Sequence, residues 1–168
     1  MRNCMVSLAF AGAVLITGAT AFAASQKAGL WEISSTTTWQ KPVGGLGGPH
    51  DPANSGRHSK DVCLTQEMID KYDALMPQPR GQCRIEGKVT KNGRTTARWV
   101  CSGKMKGEGV LETDWTDPEH GTGTLRFQGI IESRSGLEPV EWTTQSTSVF
   151  KSSSCGDVKP DVLPTSTR

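Results

Sequence analysis

Five cysteines, three histidines and five tryptophans hold most of the chemistry open to this chain of 168 residues. A thiol catalyst needs a reduced cysteine beside a base. Structural zinc needs ligands at short spacings such as C-x-x-C or H-x-x-x-H; neither occurs, and His50, His58 and His120 are scattered. A serine hydrolase needs its nucleophile on a strand–helix elbow. The nearest approach to G-x-S-x-G, Ser133-Arg134-Ser135-Gly136, falls instead in a turn between two strand-like segments. Glu112 and Asp114 alternate with Leu111 and Trp115, so they read as a solvated strand face, not as two acids meeting across a cleft. Gly44-Gly45-Leu46-Gly47-Gly48 lacks the lysine and the following helix of a phosphate-cradling loop. No catalytic residue, metal or cofactor is expected.

The tryptophans are the more informative set. Each can bury a large area, so five in one small domain supply much of a core. The alternative role is a groove in which Trp31, Trp99, Trp115 and Trp142 line a site for a small apolar or sugar ligand.

The start of the chain sets the compartment in which this chemistry operates. Arg2, an apolar stretch over residues 5–16 and Ala21-Phe22-Ala23 have the three-part form of a cleavable secretory signal. The apolar stretch is shorter than the ~20 residues that span a bilayer, and no basic stop-transfer cluster follows it. Cleavage is expected after Ala23, with Ala24 as the near alternative, so residues 1–23 leave and no transmembrane segment remains. A lipid anchor needs a cysteine at the cleavage point, and Cys4 lies too early. Loss of Arg2 lowers the formal charge from +2 to +1, which argues against a nucleic-acid partner. The expected location is the periplasm, with secretion as the alternative.

Export also gives the cysteines a role. Cys63, Cys83, Cys101 and Cys155 remain after Cys4 is removed, and an even number in an oxidising compartment implies two disulfides. Three pairings are open; Cys63–Cys83 with Cys101–Cys155 is the expected one.

The elements that must position these residues are mostly strands. Short runs of Thr, Val, Ile, Trp and Ser alternate in polarity and are broken by Gly, Asn, Asp and Pro. Residues 30–39 place Trp31, Ile33, Ser35, Thr37 and Trp39 on one face. Residues 41–56 are rich in Gly and Pro and read as a loop; residues 58–64 form a second strand. Thr65 is a helix N-cap with Glu67 in the first turn. Met68, Ile69, Tyr72, Leu75 and Met76 form the buried stripe, and the helix is expected to stop near Pro77 and Pro79. Asn92-Gly93 predicts a type I′ hairpin between strands at 83–91 and 94–102, with Cys83, Ile85, Gly87 and Val89 on one face. Strands at 107–116, near 124–132 and at 140–152 follow. The sum is a mainly β domain over residues 24–156, an antiparallel meander of about seven strands curled into a barrel or half-barrel, with one short helix. Residues 157–168 are a polar tail.

Several of these segments together resemble the DUF3617 family of exported bacterial proteins. Gly29-Leu30-Trp31-Glu32-Ile33 precedes a Thr/Ser strand, and Val62-Cys63-Leu64-Thr65-Gln66-Glu67 follows. Cys83 opens a strand, Trp99-Val100-Cys101 closes its partner, Gly107-Glu108-Gly109 precedes the next, and Cys155 ends the domain. The family commonly has Pro where Gln66 stands. The resemblance implies a small periplasmic protein and no activity, so no catalytic residue carries over. The leading expectation is a non-enzymatic periplasmic β domain with a ligand-binding or envelope-associated role. The alternatives are a hydrolase-type enzyme, for which His120 is the best handle, and a subunit of an envelope complex.

Overall fold

The computed structural model describes residues 26–41, 57–73, 75, 82–133 and 136–160. The expected signal peptide, the loop at 42–56 with His50, Met76, Pro77, Pro79 and the last part of the tail lie outside the described residues. Seven strands and one helix follow in chain order: β1 (Gly29–Lys41), β2 (Arg57–Leu64), α1 (Gln66–Tyr72), β3 (Cys83–Lys91), β4 (Arg94–Ser102), β5 (Met105–Asp117), β6 (His120–Ser133) and β7 (Gly136–Ser152).

Local chemistry explains most of these elements. In β6, buried Leu125 and Phe127 alternate with exposed Arg126 and Gln128, the period of a strand with one covered face. Asn92 and Gly93 take positive φ values of 52° and 77°, which fits the expected type I′ turn between β3 and β4. The amide of Met68 donates to the Thr65 hydroxyl at 3.2 Å, so Thr65 caps α1 as expected. The helix ends sooner than the prolines imply. Asp73 takes φ 72°, and its amide closes on the Ile69 carbonyl at 2.8 Å.

All seven strands form one antiparallel sheet in the order β2-β1-β7-β6-β5-β4-β3. From β3 to β7 this is the expected meander. The β1–β2 hairpin departs from it by docking on β7, which places β2 and β3 at opposite edges. Side chains of β2 and of β3 and β4 nonetheless line one cavity, so the sheet curls around it as an open half-barrel. The chain from β2 to β3 must therefore cross the hollow side, and α1 makes that crossing. Met68 and Ile69 pack with Trp31 and Leu64, while Tyr72 packs with Ala97, Leu111, Leu125, Phe127 and Val140. One short helix thus joins both halves of the core.

The disulfides correct the expected pairing. They are Cys63–Cys155 and Cys83–Cys101, not Cys63–Cys83 and Cys101–Cys155. Register is the reason. Cys83 and Cys101 are direct cross-strand partners at the base of the β3–β4 hairpin, with Cα atoms 4.0 Å apart. Cys63 ends β2 beside β1, and Cys155 follows β7 on the other side of β1; their Cα atoms are 5.4 Å apart. A second correction concerns β3. Its register shifts between Glu86 and Val89, which interrupts the alternation and leaves Val89 60% exposed rather than on the Ile85 face.

Close backbone approach constrains the sheet at one point. Gly107 and Gly129 face each other across β5 and β6, and a Cβ on Gly129 would lie 2.3 Å from the Lys106 carbonyl oxygen and 3.0 Å from Gly107 Cα. Backbone cannot give way as a side chain can. Gly129→Ala is therefore expected to destabilise the fold by about 1–3 kcal/mol, as overpacking does, measured by urea unfolding. An unchanged midpoint would show that the strands can part there at no cost.

Candidate functional site

Pleating sends odd-numbered residues of β1 and β4–β6, and even-numbered residues of β2 and β7, toward the hollow side. There they form two aromatic groups separated by a band of smaller side chains. In the first, Trp31 meets Trp115 and Phe150 edge-on, at 5.6 and 5.4 Å between ring centroids. In the second, Phe127 stacks on Trp142 at 4.2 Å, with Trp39 and Trp99 on either side at 5.1 Å from Trp142 and 5.9 Å from Phe127. Between them the register aligns Ser35 with Ser146 and Gly123, and Thr37 with Thr144 and Leu125.

These smaller residues leave space. A cavity of about 550 Å³ lies against this band, under α1. Ile33, Val62, Leu64, Met68, Leu111 and Leu125 supply much of its apolar wall. Its size is within the range of small-molecule sites. Of the four tryptophans expected at a ligand, Trp99 and Trp142 line this cavity and Trp31 and Trp115 do not. Trp31 is fully buried, with its indole N–H donating to the Lys27 carbonyl at 2.9 Å. Trp115 donates to Asp73. Both belong to the packing that supports α1. The indole N–H of Trp99 is buried with no hydrogen-bond partner among the described residues.

Asp73 is the charged group that sequence reasoning missed. It lines the cavity and is only 5% exposed. Its carboxylate accepts from the Thr113 hydroxyl at 3.1 Å, the Trp115 indole at 3.1 Å and the Leu75 amide at 3.2 Å. All three donors are neutral, and no cation pairs with it among the described residues. Its φ of 72° is one that non-glycine residues seldom adopt, so the surrounding contacts hold it in place. A signal did exist: Asp73 stands four residues after Ile69 and so continues the buried stripe of α1. An aspartate at a helix end looks like a solvated cap, and nothing local marks this one as buried.

His120 sits elsewhere. It lies at the β5–β6 turn and is exposed, with Nδ1 3.0 Å from the Asp117 carboxylate. The Glu119 amide, and then His120, hold the Asp117 carboxyl below its usual range. None of these three residues lines the cavity. Among the described residues no group of three or more His, Cys, Asp or Glu side chains is placed to hold a metal ion. No helix among them is long and apolar enough to cross a membrane.

A second hollow, of about 580 Å³, opens on the outer face beside Arg98, Glu108 and Arg126. Its arginines are already engaged, Arg98 with Glu86 at 2.9 Å and Arg126 with Glu112 at 3.0 Å. The inner cavity is the better candidate, because its lining includes the buried Asp73 and Thr113 and much of its wall is apolar.

Residues 26–155 match the family model described as protein of unknown function, DUF3617. No curated protein and no solved structure matches the chain.

Proposed function

This chain belongs to the DUF3617 family, and on that premise we propose that it is a non-enzymatic, exported β domain that binds a small apolar ligand in the cavity between sheet and helix. The cavity itself carries the proposal: about 550 Å³, walled by aliphatic side chains and by Trp99 and Trp142. Burying an apolar ligand there removes surface from water at about 25 cal/mol per Å², and a largely preformed pocket keeps the ordering cost low. A periplasmic address fits the N-terminal signal and the two disulfides. The aliphatic wall favours an apolar ligand over a sugar.

Titration of the mature protein with 1-octanol, followed by tryptophan emission, tests this reading. A saturable change is expected, because two tryptophans line the site, and methyl glucoside should produce none. Native mass spectrometry of protein purified from the periplasm should show a bound small molecule. Emission unmoved by both probes, together with a ligand-free mass, would reject cavity binding; a response to the glucoside alone would replace the apolar ligand with a sugar.

A further inference from the structure

Building on the cavity-binding reading, we propose that the ligand is a cationic amphiphile, an amine or quaternary ammonium on a short apolar chain, with its charge placed at Asp73. The first support is the imbalance at Asp73. A carboxylate that is 5% exposed has three neutral donors and no cation among the described residues. The Trp115 indole N–H is shared between the two oxygens, at 3.2 Å to Oδ1 and 3.1 Å to Oδ2, so three protons serve the roughly four lone-pair sites of a carboxylate, and an incoming donor can take the position that Trp115 shares. Buried charge is costly without an opposite partner, and an ammonium would supply a charge-assisted hydrogen bond.

The rest of the lining carries one charge of each sign. The other two charged residues of the wall are Lys60 and Glu112. Glu112 is already paired with Arg126, and Lys60 is exposed on edge strand β2, where water solvates it. Trp99 and Trp142 also line the cavity, and aromatic rings attract cations rather than anions. An anionic amphiphile would bring a second negative charge toward Asp73 in a weakly screening interior. The backbone at Asp73 adds a further argument. A conformation that non-glycine residues seldom adopt is held by Thr113, Trp115 and Leu75, which fixes the place of the carboxylate at the cavity.

The test compares octylammonium, 1-octanol and octanoate, each below its micellar concentration, on the mature protein with its disulfides intact. Octylammonium should bind at least ~10-fold more tightly than 1-octanol, the minimum worth of one charge-assisted bond on a scale where 1.4 kcal/mol is tenfold, and octanoate should bind more weakly than either. Asp73→Asn should abolish the preference for octylammonium over 1-octanol. Near-UV circular dichroism is the folding control for this variant, and the ranking on unmodified protein needs no variant at all. Equal binding of octylammonium and 1-octanol, or a preference for octanoate, would overturn the cationic assignment and leave cavity binding standing. Failure of all three probes would remove the cavity-binding reading itself.

Discussion

Replacing Cys63 and Cys155 with serine is expected to lower the stability of the domain by about 4–5 kcal/mol, and replacing Cys83 and Cys101 by about 3 kcal/mol. The figures follow from the chain entropy each bridge removes from the unfolded state, which grows with the logarithm of loop length. The two bridges span 92 and 18 residues. Domains of this size are stable by roughly 5–15 kcal/mol in total, so loss of both bridges should leave the protein partly or wholly unfolded at 37 °C. The longer bridge matters more for a second reason. It ties the end of β2 to the chain beyond β7 across the start of β1, and so secures the hairpin that breaks the meander. Urea unfolding of the two double variants measures the order. Non-reducing peptide mapping should recover Cys63 joined to Cys155; recovery of Cys63 joined to Cys83 would contradict the strand order itself.

Trp31→Ala should cost about 3–5 kcal/mol, the range for emptying a large aromatic site in a core. Trp31 is fully buried, and it touches elements far apart in sequence. It packs edge-on against Trp115 of β5 and Phe150 of β7, and lies with Leu64, Met68 and Ile69 at the start of α1. Its removal also orphans the Lys27 carbonyl. Because α1 spans both halves of the core, the damage should reach the cavity: 1-octanol binding ought to weaken along with stability. Trp31→Phe, which keeps an aromatic ring but loses the indole N–H, should recover much of the loss. A cost below about 1 kcal/mol for Trp31→Ala, outside the usual range for such truncations, would mean that α1 does not rest on this residue.

The two pairs of bridges also show why the cysteines misled. On the loop-length model the expected and observed pairings differ by only ~0.4 kcal/mol in total, since closure entropy changes slowly with length. Spacing cannot choose between them, whereas register can. Cys83 faces Cys101 because a two-residue turn at Asn92-Gly93 pairs the strands that carry them and the shift between Glu86 and Val89 moves the register by one residue. The turn is legible in the sequence, but continued without that shift it would set Cys83 opposite Ser102. The Cys63–Cys155 bridge was not accessible either, because it depends on β1 pairing with β7 across more than a hundred residues of chain.

The same division runs through the candidate site. Alternation in β1, β6 and β7 told which side chains share a face, and the Thr65 cap and the Met68, Ile69 and Tyr72 stripe told that a helix packs there. These are properties of neighbours a few residues apart, where side-chain direction follows from backbone geometry alone. By itself the sequence therefore determined the strands, their inward faces, the start of the helix, the turn at Asn92-Gly93 and the family. Tertiary structure alone decided that β1 docks on β7, that α1 bridges the two sheet edges, that Trp31 and Trp115 serve packing while Trp99 and Trp142 line a cavity, and that Asp73 is buried among neutral donors. Each of those outcomes depends on which distant strands meet. Local propensity carries no information about that choice; it is made by the pairing and burial of the whole sheet at once.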